Sequence, residues 1–219
     1  MKMETMHPPH GHNILARTGL FHFKRVISLL KNSFLLRLSI FIVLFLYSGC
    51  DYSRQYSQHD FNFLRTGAVA VLPFNNVSQY PYAGEIVTEL MYTELYATEK
   101  LVLIPPHEVK KRLGIEVEEG IDGLTRRYTI AQIAEKLDAD SLVIGSVSEF
   151  KYKKGVHDKP VVGMDVKLVV APAGDTVWAT SYTREDFSFL FHIGSLNETA
   201  QKACRYVARS LTRSLDKRR

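Results

Sequence analysis

The sequence predicts a single α/β domain of the α+β kind, in which one mixed β-sheet carries packed helices. Apolar runs alternate with amphipathic helical segments in the first half of the domain, which favours β-α-β units and parallel strand pairing. Strand-like segments then follow one another with turn residues between them, which favours an antiparallel meander. The expected element order is therefore β-α-β-α-α-β-β-β-α.

Each predicted element is defined by the period of its apolar residues or by the turn signals around it. The predicted spans in chain order are strand 68–72, helix 84–98, strand 101–104, helix 105–113, helix 129–137, strand 141–154, strand 161–170, strand 176–183 and helix 196–215. The glycine-containing segment 114–127 has no helical period and is predicted to be a loop.

Local signals support several of these boundaries. The first strand is wholly apolar and ends at Pro73, as expected of a strand buried on both faces. Pro106 falls in the first turn of the second helix, where no backbone donor is required. Thr129 is expected to cap the third helix, and the segment 173–175 is typical of a hairpin turn between the last two strands.

The charge excess of the chain is confined to its N-terminal segment. The chain carries 28 Lys and Arg against 23 Asp and Glu, a formal net charge of +5 at pH 7. Residues 1–50 hold six basic residues and one acidic residue, so the two signs balance in the remainder. We therefore expect no nucleic-acid partner, because a basic surface field is what attracts nucleic acid.

An apolar segment near the N-terminus has the length of an export signal. The run 38–47 spans about ten residues after Arg37, whereas a membrane-spanning helix needs about 20. We therefore predict that residues 1–49 are a signal peptide that is removed on export. The alternative is an uncleaved N-terminal anchor followed by a chance cysteine.

The end of this segment resembles a bacterial lipobox, in which small residues precede a cysteine that is acylated. Ser48, Gly49 and Cys50 fit the pattern, while Tyr47 stands where Leu is usual. The resemblance implies that Cys50 carries a covalent diacylglycerol and an N-acyl chain (palmitate being typical) and anchors the mature protein firmly in a membrane. No other cofactor is expected.

An acylated Cys50 places the rest of the chain in the bacterial cell envelope, facing the periplasm. Asp51 favours the inner membrane by the sorting rule of enteric bacteria, and the outer membrane stays open. Residues 50–66 comprise this cysteine and a polar stretch without period, which is predicted to be a tether. The folded domain is predicted over residues 67–217.

Four segments of the domain resemble a family of envelope lipoproteins. They are 69–76, 84–90, 133–145 and 174–178, with the pattern strand-LPF-N, helix, IA..L.AD.LV.G and GD..W. This pattern resembles the family of the curli-secretion lipoprotein (CsgG) and the penicillin-binding-protein activator (LpoB), which shares its fold with the N-terminal domain of TolB. The resemblance covers nearly all of residues 67–215.

This resemblance implies a lipid-anchored accessory protein that binds other envelope proteins, either a secretion component or a cell-wall synthase. Its role would lie in envelope assembly, secretion or peptidoglycan synthesis. The alternative is a ring-forming component of a curli-type export complex, and a homo-oligomer is open in either case. An envelope hydrolase is the less favoured hypothesis.

The domain carries no recognisable catalytic or metal-binding motif, so we predict no enzymatic activity, no catalytic residue and no metal site. Ser195 with His192 is only a weak pair. The carboxylates of segment 116–119 are interpreted as a solvated loop. Cys204 lies beside the apolar stripe of the last helix and is interpreted as a buried thiol.

Two groups of residues form the candidate partner surface. Aromatic residues in the polar loop after the first strand are typical of protein interfaces, with core packing as the alternative. These residues are Phe74, Tyr80 and Tyr82. Basic residues on one stripe of the last helix would contact anionic headgroups or an acidic partner, with a solvated face as the alternative. They are Lys202, Arg205, Arg209 and Arg213.

A second basic patch surrounds the predicted hairpin tip at Gly155. It consists of Lys151, Lys153, Lys154 and Lys159.

Overall fold

The computed structural model describes residues 52–57, 67–115, 120–155, 158–186 and 194–216. The predicted signal peptide and Cys50 lie outside these residues. The strands are β1 (Tyr52–Ser57), β2 (Ala68–Val71), β3 (Asn75–Asn76), β4 (Val102–Ile104), β5 (Ser141–Lys153), β6 (Lys159–Val170) and β7 (Asp175–Glu185). The helices are α1 (Ala83–Tyr96), α2 (Pro106–Leu113), α3 (Ile121–Arg127), α4 (Ile130–Leu137) and α5 (Leu196–Asp216).

The described strands form one mixed sheet, which confirms the predicted α+β class. The strand order is β1-β7-β6-β5-β2-β4, and the short β3 also pairs with β5. Strand β2 runs parallel to both β4 and β5, whereas β5, β6, β7 and β1 are joined by antiparallel pairing. The parallel half and the antiparallel half were both predicted from the order of the elements.

Helices cover the two faces of this sheet unequally. Helices α1 and α5 pack on one face, where the core includes Trp178 and Phe150. Helices α2, α3 and α4 pack on the other face, over β2, β4 and the start of β5, around residues such as Leu72 and Leu142. Thr129 begins α4 with a capping box shared with Gln132, as its position predicted.

The predicted loop 114–127 contains the short helix α3, so the loop prediction is wrong for Ile121–Arg127. Tertiary contacts stabilise this helix. The Ile121 N–H donates to the Pro73 carbonyl at 3.0 Å, and the Asp122 N–H donates to Asn75 Oδ1 at 2.9 Å. With only Ile121 and Leu124 buried, the helix has too few apolar residues for its period to be recognised.

The predicted tether is also wrong for residues 52–57, which form the edge strand β1 against β7. This strand is held by polar contacts with α5. Gln55 Nε2 donates to Ser214 Oγ at 2.8 Å, Ser210 Oγ donates to Gln55 Oε1 at 2.7 Å, and the hydroxyls of Ser53 and Tyr206 lie 3.1 Å apart. A strand that is held by hydrogen bonds shows no hydrophobic alternation, so its sequence resembles a linker.

Candidate interaction surfaces

The loop after β2 places Phe74 in the core, which corrects its assignment to the partner surface. Phe74 is 3% exposed and packs against the backbone of Gly145. A Cβ atom at position 145 would lie 2.4 Å from Phe74 Cε1, so the absence of a side chain makes room for the ring. The core-packing alternative therefore holds for this aromatic residue.

The other two aromatic residues of the loop are exposed, Tyr80 at 41% and Tyr82 at 58%. Asn76 organises the loop, because its Nδ2 donates to the Tyr80 carbonyl at 2.8 Å and its Oδ1 accepts from the Ser78 N–H at 3.1 Å. Tyr82 precedes α1 with a φ of 63°, a left-handed conformation that is uncommon for a bulky residue. The loop thus holds both tyrosines at the surface.

Tyr80 lines an open groove of about 440 Å³ between three parts of the chain. Its ring centroid lies 4.8 Å from that of Phe150 on β5. Tyr152, two residues further along β5, is 43% exposed and also lines the groove. The polar residues of the lining include Lys151 and Asn197. We call this feature the aromatic groove.

Sequence reasoning missed Tyr152 as a member of this surface. Tyr152 lies two residues after Phe150, on the same side of β5. Phe150 is buried in the core, whereas Tyr152 lies near the end of the strand and is exposed. The position of the loop against β5 could not be derived from local sequence.

Two members of the basic stripe of α5, Lys202 and Arg205, form ion pairs with other residues of the domain. Lys202 Nζ lies 2.8 Å from Glu198 Oε1 and 3.0 Å from Asp186 Oδ2. Hydrogen bonds to Glu198 and Asp186 hold the pKa of the Lys202 ammonium above its usual value. Arg205 forms a two-point ion pair with Glu94 of α1. Both cations therefore join elements of the domain, and their charge is compensated within it.

Arg209 and Arg213 are exposed and form no ion pair in the part of the chain that the structure describes. The available cationic stripe is therefore half of the predicted one. Its two guanidinium groups lie one helical turn apart, on the solvent side of α5.

Asp186 is the centre of a polar cluster where β7 ends. Its carboxylate accepts hydrogen bonds from Arg184 Nε at 2.8 Å, Lys202 Nζ at 3.0 Å and Thr199 Oγ1 at 3.1 Å. Burial alone would raise the pKa of this carboxyl, but the hydrogen bonds and charges of Lys202 and Arg184 outweigh it and hold the pKa below its usual value. The cluster fixes the start of α5 against the end of β7.

The second basic patch lies where the β5–β6 hairpin ends, and we call it the basic tip. Lys151 pairs with Glu149 at 2.7 Å. Lys153 and Lys159 share Glu185, at 3.2 Å and 3.1 Å, and hydrogen bonds from these lysines hold the pKa of Glu185 below its usual value. Lys154, the remaining member of the basic tip, is exposed.

The described residues contain no group of three or more His, Cys, Asp or Glu side chains that could hold a metal ion. Ser195 Oγ accepts from the Glu198 N–H at 3.1 Å, which is the geometry of a helix N-cap. Cys204 is fully buried, and burial raises the pKa of its thiol. His192 and the carboxylates of 116–119 lie outside the described residues.

Among the described helices, none combines the length and the apolar composition that crossing a bilayer requires.

No family model matches the chain, and no curated protein matches it. Several solved structures, however, are similar to the chain. The PelC dodecamer from Paraburkholderia phytofirmans is 23% identical, with a TM-score of 0.50 over 72% of this chain and 94% of that chain. A second crystal form, of a PelC variant, gives 0.52 over 71% and 95% at 23% identity. The chain therefore shares the PelC fold.

Another solved structure that matches is lipoprotein GNA1162 from Neisseria meningitidis. It is 11% identical, with a TM-score of 0.48 over 69% of this chain and 99% of that chain.

Proposed function

We propose that this protein is a lipid-anchored accessory protein of the bacterial envelope that faces the periplasm and binds another envelope protein through the aromatic groove. The observation that carries the proposal is the cluster of exposed tyrosines around that groove. Tyr80 and Tyr152 line it, and Tyr82 stands beside Tyr80 in the same loop. Large aromatic side chains that are exposed together are typical of binding surfaces.

The groove has the properties of a site for a protein side chain. It is open, and the buried ring of Phe150 forms part of its lining. The polar groups of Gln79, Lys151 and Asn197 border the aromatic rings, which resembles the polar rim around an apolar centre in protein interfaces. The partner classes that the sequence resemblance implies are a secretion component or a cell-wall synthase.

Site-specific crosslinking in cells tests this role. A photoreactive residue in place of Tyr80 should form a covalent adduct with one envelope protein, and Tyr152→Ala should abolish that adduct. The control position is Tyr96, which is more exposed than Tyr80 but lies at the far end of α1, about 20 Å along the helix. Equal adducts from positions 80 and 96 would contradict the proposal.

The membrane attachment is tested separately at Cys50. The Cys50→Ala variant should move from the membrane fraction to the soluble fraction of the periplasm, since three acyl chains anchor firmly and none remains in the variant. A variant that stays with the membrane would rule out the lipid anchor.

The second candidate is a ring-forming component of an export complex. It is favoured by one observation, that the PelC structure with this fold is a dodecamer. Light scattering on the native protein, extracted in mild detergent, separates the two candidates. A homo-oligomer of many copies supports the ring, whereas a single copy that elutes with another envelope protein supports the accessory role.

A further inference from the structure

The edge strand β1 determines how far the folded domain can lie from Cys50. Asp51 alone stands between Cys50 and Tyr52, the first residue of β1. Two residue steps span at most about 7 Å, even when fully extended. The domain therefore has no long tether on this side, and the beginning of β1 must lie close to any membrane that holds Cys50.

The register of the sheet shows that the start of β1 faces the same end of the domain as the β5–β6 hairpin. Tyr52 pairs with Thr183 of β7, Thr183 pairs with Gly163 of β6, and Gly163 pairs with Glu149 of β5. All four residues lie at one level across the sheet. Because the neighbouring strands are antiparallel, the chain before Tyr52 points in the same direction as the β5–β6 hairpin.

The hairpin extends beyond this level. Pairing between β5 and β6 continues to Lys153 and Lys159, four residues past Gly163, which corresponds to about 13 Å. The hairpin therefore reaches past Tyr52 by more than the chain to Cys50 can span. If the sheet stands on the membrane by this end, the basic tip lies in the headgroup layer, which is about 5–8 Å thick in each leaflet.

The chemistry of the basic tip suits that layer. The four lysines of the basic tip stand beside three carboxylates, Glu149, Asp158 and Glu185, so the tip keeps an excess of one positive charge, and Lys154 is exposed. Tyr152 precedes Lys153 on β5 and is exposed. Lysine and tyrosine are the residue types that locate at membrane–water interfaces, and lysines near the surface are attracted to anionic lipids.

We propose that the basic tip contacts anionic phospholipid headgroups of the membrane that holds Cys50, so that the domain stands on the membrane by the β5–β6 hairpin. This inference rests on the acylation of Cys50 that the proposed function includes. It adds an orientation: the aromatic groove opens beside the membrane surface, and the turn between β6 and β7 points away from it.

The chain offers a matched pair of positions for measuring this orientation. Gly155 follows the basic tip, and Ala173 lies in the turn at the other end of β6, about 40 Å away along its 12 residues. Cys204 is buried and an acylated Cys50 has no thiol, so an introduced cysteine is the reactive one. Gly155→Cys and Ala173→Cys are each labelled with a fluorophore in the full acylated protein.

The labelled proteins are reconstituted into phosphatidylcholine vesicles with or without phosphatidylglycerol, together with a lipid that carries a nitroxide quencher on its headgroup. We expect quenching at position 155 to exceed that at position 173 at least about threefold, and to increase with phosphatidylglycerol. Lys154→Glu should reduce quenching at position 155, while Lys167→Glu, which reverses another exposed lysine, should not. Equal quenching at both positions, or stronger quenching at 173, overturns the proposal.

Labelling of the protein without an introduced cysteine shows whether Cys50 is acylated. It therefore separates failure of the basic-tip contact from failure of the lipid anchor. If dye reacts with Cys50, the acylation is refuted, and the basic tip is then tested by flotation of the unanchored chain with phosphatidylglycerol vesicles. Salt-sensitive flotation that Lys154→Glu abolishes supports the contact, and absence of flotation overturns it.

Discussion

Arg205 on α5 donates from Nε to Glu94 Oε2 at 3.0 Å and from Nη2 to Glu94 Oε1 at 3.2 Å, which makes a two-point ion pair with α1. The Glu94 carboxylate is buried, whereas the guanidinium group remains partly exposed. The pair joins the two helices that cover one face of the sheet. A residue of the predicted partner surface therefore contributes to the packing of the domain itself.

Arg205→Ala should destabilise the domain, because it leaves the buried carboxylate of Glu94 without its charged donor. Losing a hydrogen bond to a buried charged group lowers the free energy of unfolding, because that group stays desolvated without a partner. Urea unfolding, followed by circular dichroism, measures the effect. Arg209→Ala on the same stripe should change the unfolding free energy by less than about 0.5 kcal/mol, because its side chain forms no ion pair among the described residues. Equal losses in both variants would contradict the assignment.

Gly145→Ala should destabilise the domain through overpacking. The new methyl group would lie 2.4 Å from Phe74 Cε1 and 2.5 Å from the carbonyl oxygen of Asp165, and the backbone of β6 cannot move aside without disturbing the sheet. Overpacking of this kind costs about 1–3 kcal/mol. Thermal unfolding should show a lower midpoint than for Ser148→Ala, an exposed position on the same strand. An equal midpoint in both variants would show that Phe74 and β6 shift to accept the methyl group without a measurable loss of stability.

The Asp186 cluster predicts a loss of stability in acid. The pKa of this carboxyl is lower in the folded state than its unfolded value near 3.8, so the carboxylate stabilises the fold above that pH. The contribution disappears as the pH falls through the lowered folded-state pKa. Asp186→Asn should therefore be less stable than the original protein at pH 7, with a difference that shrinks below pH 3.8.

Unfolding free energies measured from pH 7 down to about pH 2 test this dependence. The control is Asp175→Asn, the same change at an exposed position where β7 begins. A difference between Asp186→Asn and the original protein that stays constant over the whole range would exclude the carboxylate as its cause.

Gln55→Ala should loosen β1 while the remainder of the sheet stays intact. Gln55 makes hydrogen bonds with Ser214 and Ser210 of α5, and each contributes about 0.5–1.5 kcal/mol. Hydrogen–deuterium exchange should become faster in the amides of β1, with β5 unaffected. Arg54→Ala is the matched control, since its exposed side chain makes no such contact with α5 among the described residues. Unchanged exchange in Gln55→Ala would mean that backbone pairing with β7 alone holds the strand.

Periodic sequence patterns were sufficient for most of the fold. Strand β5 and helix α5 were predicted within two residues of their observed ends, because each has enough apolar residues for its period to be recognised. The missed elements, β1 and α3, are short and depend on partners distant in the sequence. Gln55 contacts a residue 159 positions away, and Asp122 contacts one 47 positions away.

The candidate surface was less predictable than the fold. A tyrosine in a polar loop and a phenylalanine in the same loop carry similar local signals, yet Tyr80 is exposed and Phe74 is buried. The outcome depends on Gly145, which leaves room for one ring against the sheet. Likewise, the spacing of Lys202 and Arg205 defines a stripe on a helix but does not reveal the carboxylates of other elements that pair with them.

The sequence by itself determined the class of the fold, the order of its main elements and the lipobox-like segment that ends at Cys50, because these depend on local composition and hydrophobic period. The tertiary structure alone decided that β1 begins just after Cys50 and that Tyr80 and Tyr152 line the same groove. It also decided which cations of α5 form ion pairs with other elements of the domain. Each of these depends on contacts between segments distant in the chain, which strand register and helix packing bring together and which no local pattern encodes.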